Sequence, residues 1–352
     1  MRKLVTIRKI KQLIPIKGAD LICIAIIDGW QVIVKKSEFK VGDKCLFFEI
    51  DSFLPVTDER FAFLKKTSLF NSKEGYRLKT MKMKGVMSQG LALPLSMFPE
   101  VLNKPAQEDY TELLNVVKYD VAKQSSSLVS GNPEGKFPSF IPKTDQERIQ
   151  NLTSYFETMK DVTFEETLKL DGSSMTCYKV GIKPSLLKRI LSWFSGKSPT
   201  TYHFGVCSRN LELKKSNTSN FWSTAIAADI ESKLPAGFAI QGELIGPNIQ
   251  ANHEKVSALD YFVFDVFDIT NGKYLLPEER RAFCSQYNLQ HVPVISINAL
   301  PCNMTLDQLL QHVEGESMNP GTVSEGRVYK SNTNNNISFK AISNKYLLKC
   351  EE

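Results

Sequence analysis

Between Thr163 and Ile342 the chain passes through seven short β-rich runs: TFEETLKL, SMTCYKV, YHFGVCSRN, FAIQGELIG, DYFVFDVFDI, GRVYK and ISFKAI. Runs of this length, rich in β-branched and aromatic residues and bounded by turn formers, read as strands. They alternate with turns and a few helical stretches, which predicts an α+β domain with much antiparallel sheet. One residue in this series is out of place. In EETLKLDGSS, Lys169 stands between Leu168 and Leu170, where a charge is costly to bury. Either it faces solvent on an edge strand or it faces a site that uses it.

The first hundred residues carry a different β pattern. ADLICIAIIDGWQVIVKK holds two β-branched runs joined at Asp28–Gly29, a favourable hairpin turn. A turn at Gly42–Asp43 leads into another strand, and GYRLKTMKMKGVMSQGLALPL reads as two more, broken at Gly85 and Gly90. Short strands at this spacing predict a small β-barrel over residues 1–105. Arg77, Lys79, Lys82 and Lys84 form either a cationic strand surface or a solvated edge protected by lysines.

Residues 106–136 read as a linker, in which a short helical pattern around Tyr110–Val117 gives way to Ser, Gly, Asn and Pro. The second domain then occupies 137–352. In FPSFIPKTDQERIQNL a helix is expected to start at Thr144 or Asp145 and to carry Arg148, with Lys143 at its anion-favouring threshold. Farther on, Leu186, Leu187, Ile190, Leu191 and Phe194 form one stripe of a helical pattern, with Lys188 and Arg189 opposite.

Composition narrows the class. A chain of 352 residues with 42% apolar content has room for a full core and two domains. No apolar run reaches the roughly 18 residues of a membrane span, and MRKLVTIRKIKQL lacks the apolar core of a signal peptide. The seven cysteines form no CxxC, and the four histidines are far apart. That predicts free thiols in an intracellular, reducing compartment, cytoplasmic or nuclear, and no Cys- or His-based metal centre. A net charge of +6 is compatible with a polyanionic partner without requiring one.

After Lys169-Leu-Asp171-Gly172 come, in order, SRN at 208–210, GELIG at 242–246, DYFVFDVFDI at 260–269, EGRVYK at 325–330 and SFKAISNKYL at 338–347. This ordered series resembles motifs I, Ia, III, IIIa, IV and V of the covalent nucleotidyltransferases, which include polynucleotide ligases and capping enzymes. With IPIKGADLICIAIIDGW, SQGLALPL and FPSFIPKTDQERIQNL, nearly the whole chain is similar to one family of RNA ligases. In that family an N-terminal OB-type β-barrel precedes a minimal nucleotidyltransferase domain of ATP-grasp-like antiparallel sheet and helices. The resemblance implies an enzyme that uses ATP and Mg²⁺ or Mn²⁺ to join 3′-OH and 5′-phosphate ends of RNA, typically at nicks in duplexes, with no membrane and no obligate protein partner.

The same resemblance implies that Lys169 becomes adenylylated and Thr167 contacts adenine. Tyr261 or Phe262 stacks on the base, Arg209 lies near ribose and nucleic-acid phosphates, and Lys340 contacts the α-phosphate. Arg148 and Lys330 neutralise further phosphate oxygens, while Glu243 and Glu325 hold a metal through water. Ser338 stands where some members carry a first motif V lysine, leaving Lys345 as a candidate substitute. Attack by Lys169 needs a neutral amine, so burial and nearby cations are expected to lower its pKa from about 10.4. Two alternatives are a GTP-using guanylyltransferase of capping type and a non-catalytic RNA-binding relative.

Overall fold

The structure, a computed structural model, describes residues 2–119, 131–182 and 201–349. The basic amphipathic stretch around 183–197, part of the linker and Cys350 lie outside the described residues. The first 118 residues contain β1 (Val5–Lys9), β2 (Gln12–Pro15), β3 (Ile22–Ile27), β4 (Trp30–Lys35), β5 (Lys44–Phe48), β6 (Ser52–Pro55), β7 (Ser68–Phe70), β8 (Lys73–Arg77), β9 (Thr80–Met83), β10 (Val86–Gln89), β11 (Leu91–Pro94) and β12 (Val117–Lys118). They pair in the orders β1-β5-β11, β2-β3-β4 and β12-β6-β8-β7, with β9-β10 as a separate hairpin.

β5 shows why these sheets enclose a core. Cys45 and Phe47 point into one apolar cluster, with Ala25, Trp30 and Val32, while Leu46 and Phe48 point into another, with Val5, Phe61 and Phe98. Successive side chains leave a strand on opposite faces, so a run buried on both sides must lie at the centre. The 76–94 stretch is cut more finely than its sequence suggests. Lys84 and Gly85 both take positive φ, 51° and 78°, and fold β9 back on β10 before β11 begins. The helical pattern at Tyr110–Val117 is one turn, closed by the Leu114 N–H donating to the Tyr110 carbonyl at 3.2 Å.

The second domain contains β13 (Pro133–Lys136), β14 (Phe164–Lys169), β15 (Ser173–Ile182), β16 (Thr201–Ser208), β17 (Leu211–Leu213), β18 (Phe238–Ile245), β19 (Asp260–Asp268), β20 (Lys273–Tyr274), β21 (Val294–Ala299), β22 (Gly326–Ser331) and β23 (Ser338–Ile342). They form two antiparallel sheets, β13-β17-β16-β15-β18-β19-β20 and β21-β14-β22-β23. The chain crosses between the sheets at Leu170–Gly172, which sets Lys169 at their seam. Gly172 is required there by close approach, because a Cβ would overlap the Leu244 carbonyl oxygen.

The helix expected from Thr144 through Arg148 is absent. Arg148 is extended, with φ −74° and ψ 137°, and bridges in parallel to Lys340. The Lys340 N–H donates to the Glu147 carbonyl at 2.9 Å, so the edge of β23 takes a backbone acceptor that a helix would use internally. Lys143 guards no helix start; its Nζ donates to Asn210 Oδ1 at 2.8 Å.

The two domains share apolar and polar contacts. Ile342 and Leu347 join the core cluster of Trp30 and Phe47. The Trp30 Nε1–H donates to Asn151 Oδ1 at 2.7 Å, and the Gly29 N–H donates to the Gln150 carbonyl at 3.0 Å. These contacts hold the segment carrying Arg148 against the barrel.

Candidate active site

The seam between the sheets opens into a cleft of about 870 Å³, with Arg2, Asp51, Asn71 and Lys118 of the barrel on its rim. Lys169 is the last residue of β14. Leu168 and Leu170 pack with Ile245, Phe262 and Val292, and the alternation sends Lys169 the other way. Its Nζ donates to Glu325 Oε2 at 2.7 Å. β14 pairs with β22 so that Lys169 lies opposite Gly326, which places Glu325 beside the lysine. Gly326 makes that pairing possible: it has φ 148°, and a Cβ would overlap the Ala341 carbonyl oxygen.

Electrostatics at this point run against the expectation of a depressed lysine. Partial burial lowers the Lys169 pKa, but Glu325, Glu243 and Asp171 outweigh it and hold the ammonium above its ordinary value. The carboxylates are perturbed in turn. Burial raises Glu243 to about 8, with Glu325 and Asp171 adding to the rise against Lys169. Glu325 is raised as well, first by burial. The cluster therefore carries more negative charge than Lys169 balances.

A second group of charges faces it. Lys340 Nζ donates to Asp145 Oδ1 at 2.9 Å, Arg209 Nη2 donates to Asp145 Oδ2 at 3.0 Å, and Lys118 Nζ lies 3.7 Å from the same carboxylate. Burial pulls Lys340 down to about 8. Burial would raise Asp145, but Lys340, Lys118 and Arg209 outweigh it and hold the carboxyl well below the usual range. Arg148 is 6% exposed, lies 3.6 Å from Asp51, and leaves Nε and Nη1 without a hydrogen-bond partner. Buried donors without acceptors are uncommon in folded proteins, and these belong to a residue that lines an open cleft.

The other end of the cleft is apolar, lined by Phe264, Val292 and Val328, with Thr167 and Lys330 beside them. The Thr167 hydroxyl donates to the Val328 carbonyl at 3.4 Å. Lys330 Nζ donates to the Phe264 carbonyl at 2.7 Å and pairs with Asp265, while burial lowers it to about 8.

A family model described as RNA ligase matches residues 162–346, and one described as an OB-fold domain matches residues 4–95. The chain belongs to the RNA ligase family. A Naegleria gruberi RNA ligase structure with PPi is 38% identical at a TM-score of 0.88, covering 100% of this chain and 99% of that one. A variant of the same Naegleria enzyme with ATP and Mn is 38% identical at a TM-score of 0.87, with 100% of both chains covered. Another variant, with AMP and Mn, is 39% identical at a TM-score of 0.88, with 99% of both chains covered. No curated protein matches.

The ligase thus has an N-terminal OB domain followed by its catalytic domain. Its cleft brings together Lys169, Glu243, Glu325, Arg148, Arg209, Lys330, Lys340 and Thr167. Tyr261 and Phe262 do not line it. The Tyr261 hydroxyl donates to the carbonyls of Met175 and Ile240 inside the core, and Phe262 packs under Leu168 and Leu170. The aromatic in the cleft is Phe264, the residue left over where the β18–β19 register slips: Gln241 faces Asp265, whereas Gly242 faces Val263. Such a bulge re-aims a side chain, and DYFVFDVF carries no mark of it. Lys345 is not in the cleft; it is paired with Glu314 at 3.0 Å, and Ser338 lies across from Lys330. Asp145, which gathers three cations, stood in a quoted stretch but read only as a helix start. The barrel's Arg2, Asp51 and Lys118 left no signal in the sequence.

Proposed function

We propose that this RNA ligase uses ATP to join 3′-OH and 5′-phosphate ends at nicks in duplexes, through lysyl-AMP and adenylylated nucleic-acid intermediates. The observation that carries the reading is Lys169 at the floor of the cleft, between Glu325 and Glu243, with the unsatisfied guanidinium of Arg148 and the cations around Asp145 nearby. The Naegleria relatives with ATP and Mn and with AMP and Mn support the choice of nucleotide and metal.

In the first step the lone pair of the neutral Lys169 amine attacks the α-phosphorus of ATP. A P–N bond forms, the bond to the bridging oxygen breaks, and pyrophosphate leaves with that electron pair. In the second, an oxygen of the RNA 5′-phosphate attacks the same phosphorus, and the lysine amine departs and regains its proton. In the third, the 3′-OH attacks the activated 5′-phosphorus, loses its proton, and displaces AMP. Little covalent chemistry falls to the protein beyond the lysine, so its work is positioning and charge neutralisation. Arg148, Arg209 and Lys340 neutralise phosphate oxygens. Phe264 stacks on the adenine, with Thr167 beside it.

Among the described residues no three His, Cys, Asp or Glu groups are close enough to cage a metal. Glu243 and Glu325 are instead two hard oxygen donors short of positive charge, which fits a hydrated Mg²⁺ or Mn²⁺ held through water. Such an ion would offset the carboxylates and favour the neutral amine. No helix among the described residues is long and apolar enough to cross a membrane.

The test is covalent labelling with α-labelled ATP or GTP and a divalent cation. Label from ATP alone, absent in Lys169→Ala, is expected, followed by sealing of nicked duplexes with RNA at the 3′-OH side. No label from either nucleotide overturns the reading, and label from GTP alone makes the protein a guanylyltransferase.

A further inference from the structure

The helix Asn344–Lys349 serves two parts of the molecule at once. Leu347 is buried in the cluster that holds Trp30 and Phe47 of the barrel, and Asn344 Oδ1 accepts from Gln89 Nε2 at 3.3 Å. Just before the helix, the Ser343 N–H donates to the Glu325 carbonyl at 2.9 Å. From this mount Tyr346 reaches the other side of the cleft floor. Its hydroxyl donates to Asp171 Oδ2 at 2.9 Å, and its ring meets the His253 ring edge-on at 5.1 Å between centroids.

Asp171 lies two residues beyond Lys169 and lines the cleft. The turn that carries it is secured through its backbone, where Gln250 Nε2 donates to the Gly172 carbonyl at 2.6 Å and the Asp171 N–H points to Glu254 Oε1 at 3.5 Å. Neither contact sets the direction of the carboxylate. The hydrogen bond from Tyr346 does, leaving Oδ1 available to the cleft. The orientation matters because the Asp171 charge acts on Lys169, Glu243 and Glu325 alike.

We propose that Tyr346 is a positioning residue for lysine adenylylation: its hydroxyl fixes the Asp171 carboxylate beside Lys169 from a helix anchored in the OB core. The inference rests on Lys169 being the nucleophile. A phenylalanine at this position keeps the ring against His253 and removes only the donor. Bonds to charged groups are the stronger class, and their loss is felt only in the geometry of the reacting groups.

The experiment is single-turnover labelling of Lys169 by α-labelled ATP, in the full chain, over a range of ATP concentrations, with a thermal melt of each protein. Tyr346→Phe is expected to label about tenfold more slowly at saturating ATP, with the ATP KM within about twofold of the parent and an unchanged Tm. Labelling at the parental rate overturns the inference. So does a slower rate accompanied by a matching rise in KM or fall in Tm, because that is what a purely structural tyrosine would give. If the parent protein takes no label, the proposed function itself has failed, and the parent lane shows this separately.

Discussion

Replacing Phe264 by alanine, beside the same change at Phe262, separates a base-stacking residue from a core residue two positions away. Phe264 is half-buried at the bulge of β19, its ring faces the cleft, and Lys330 Nζ lies 5.6 Å from the ring centroid. Stacking of a base on an aromatic side chain is worth about 1–3 kcal/mol by alanine substitution. At 1.4 kcal/mol per tenfold, that predicts a rise in the ATP KM of about 5- to 150-fold. Phe262 is only 5% exposed and packs with Leu168, Leu170, Ile245 and Val292. Truncating a buried phenylalanine costs about 3–5 kcal/mol of stability, so Phe262→Ala is expected to melt earlier while keeping a near-parental KM in the protein that remains folded. Lysine labelling against ATP concentration, with thermal melts, measures both quantities. A parental KM in Phe264→Ala, or a raised KM with an intact Tm in Phe262→Ala, would refute the argument from the bulge.

Two further outcomes follow from the same geometry. Lys340, pulled down to about 8, is charged below that pH and neutral above it, so kcat/KM for ATP should fall as pH rises through about 8; Lys340→Arg, whose guanidinium stays protonated, should lose that descending limb. Gly172→Ala forces a Cβ against the Leu244 carbonyl, and overpacking of this kind costs about 1–3 kcal/mol; a lower Tm together with slower labelling of Lys169 is the expected result, checked by melts and the labelling assay.

The orientation of Lys169 was legible because a strand alternates with period two, and Leu168 and Leu170 left only one face for the charge. Asp171–Gly172 likewise read as the turn after it. Its charge state was not legible, because that depends on three carboxylates, two of them 74 and 156 residues away in sequence, at Glu243 and Glu325. The aromatic was misplaced for a different reason: Phe262 and Phe264 share a strand face, and only the pairing partner β18 determines where the bulge falls. Arg148 read as helical because local propensity was all that could be weighed, whereas the edge of β23 offered its segment backbone partners.

By itself the sequence determined which segments become strands, where the tight turns fall, and the order of the chemical groups along the chain. These are short-range matters of side-chain shape, backbone freedom and spacing. The tertiary structure decided which groups meet: three cations around Asp145, a barrel rim contributing Arg2, Asp51 and Lys118, and Tyr346 across the cleft from Asp171. Those meetings depend on sheet register and domain docking, and the electric field at Lys169 is a sum over residues that only folding brings within a few ångströms of it.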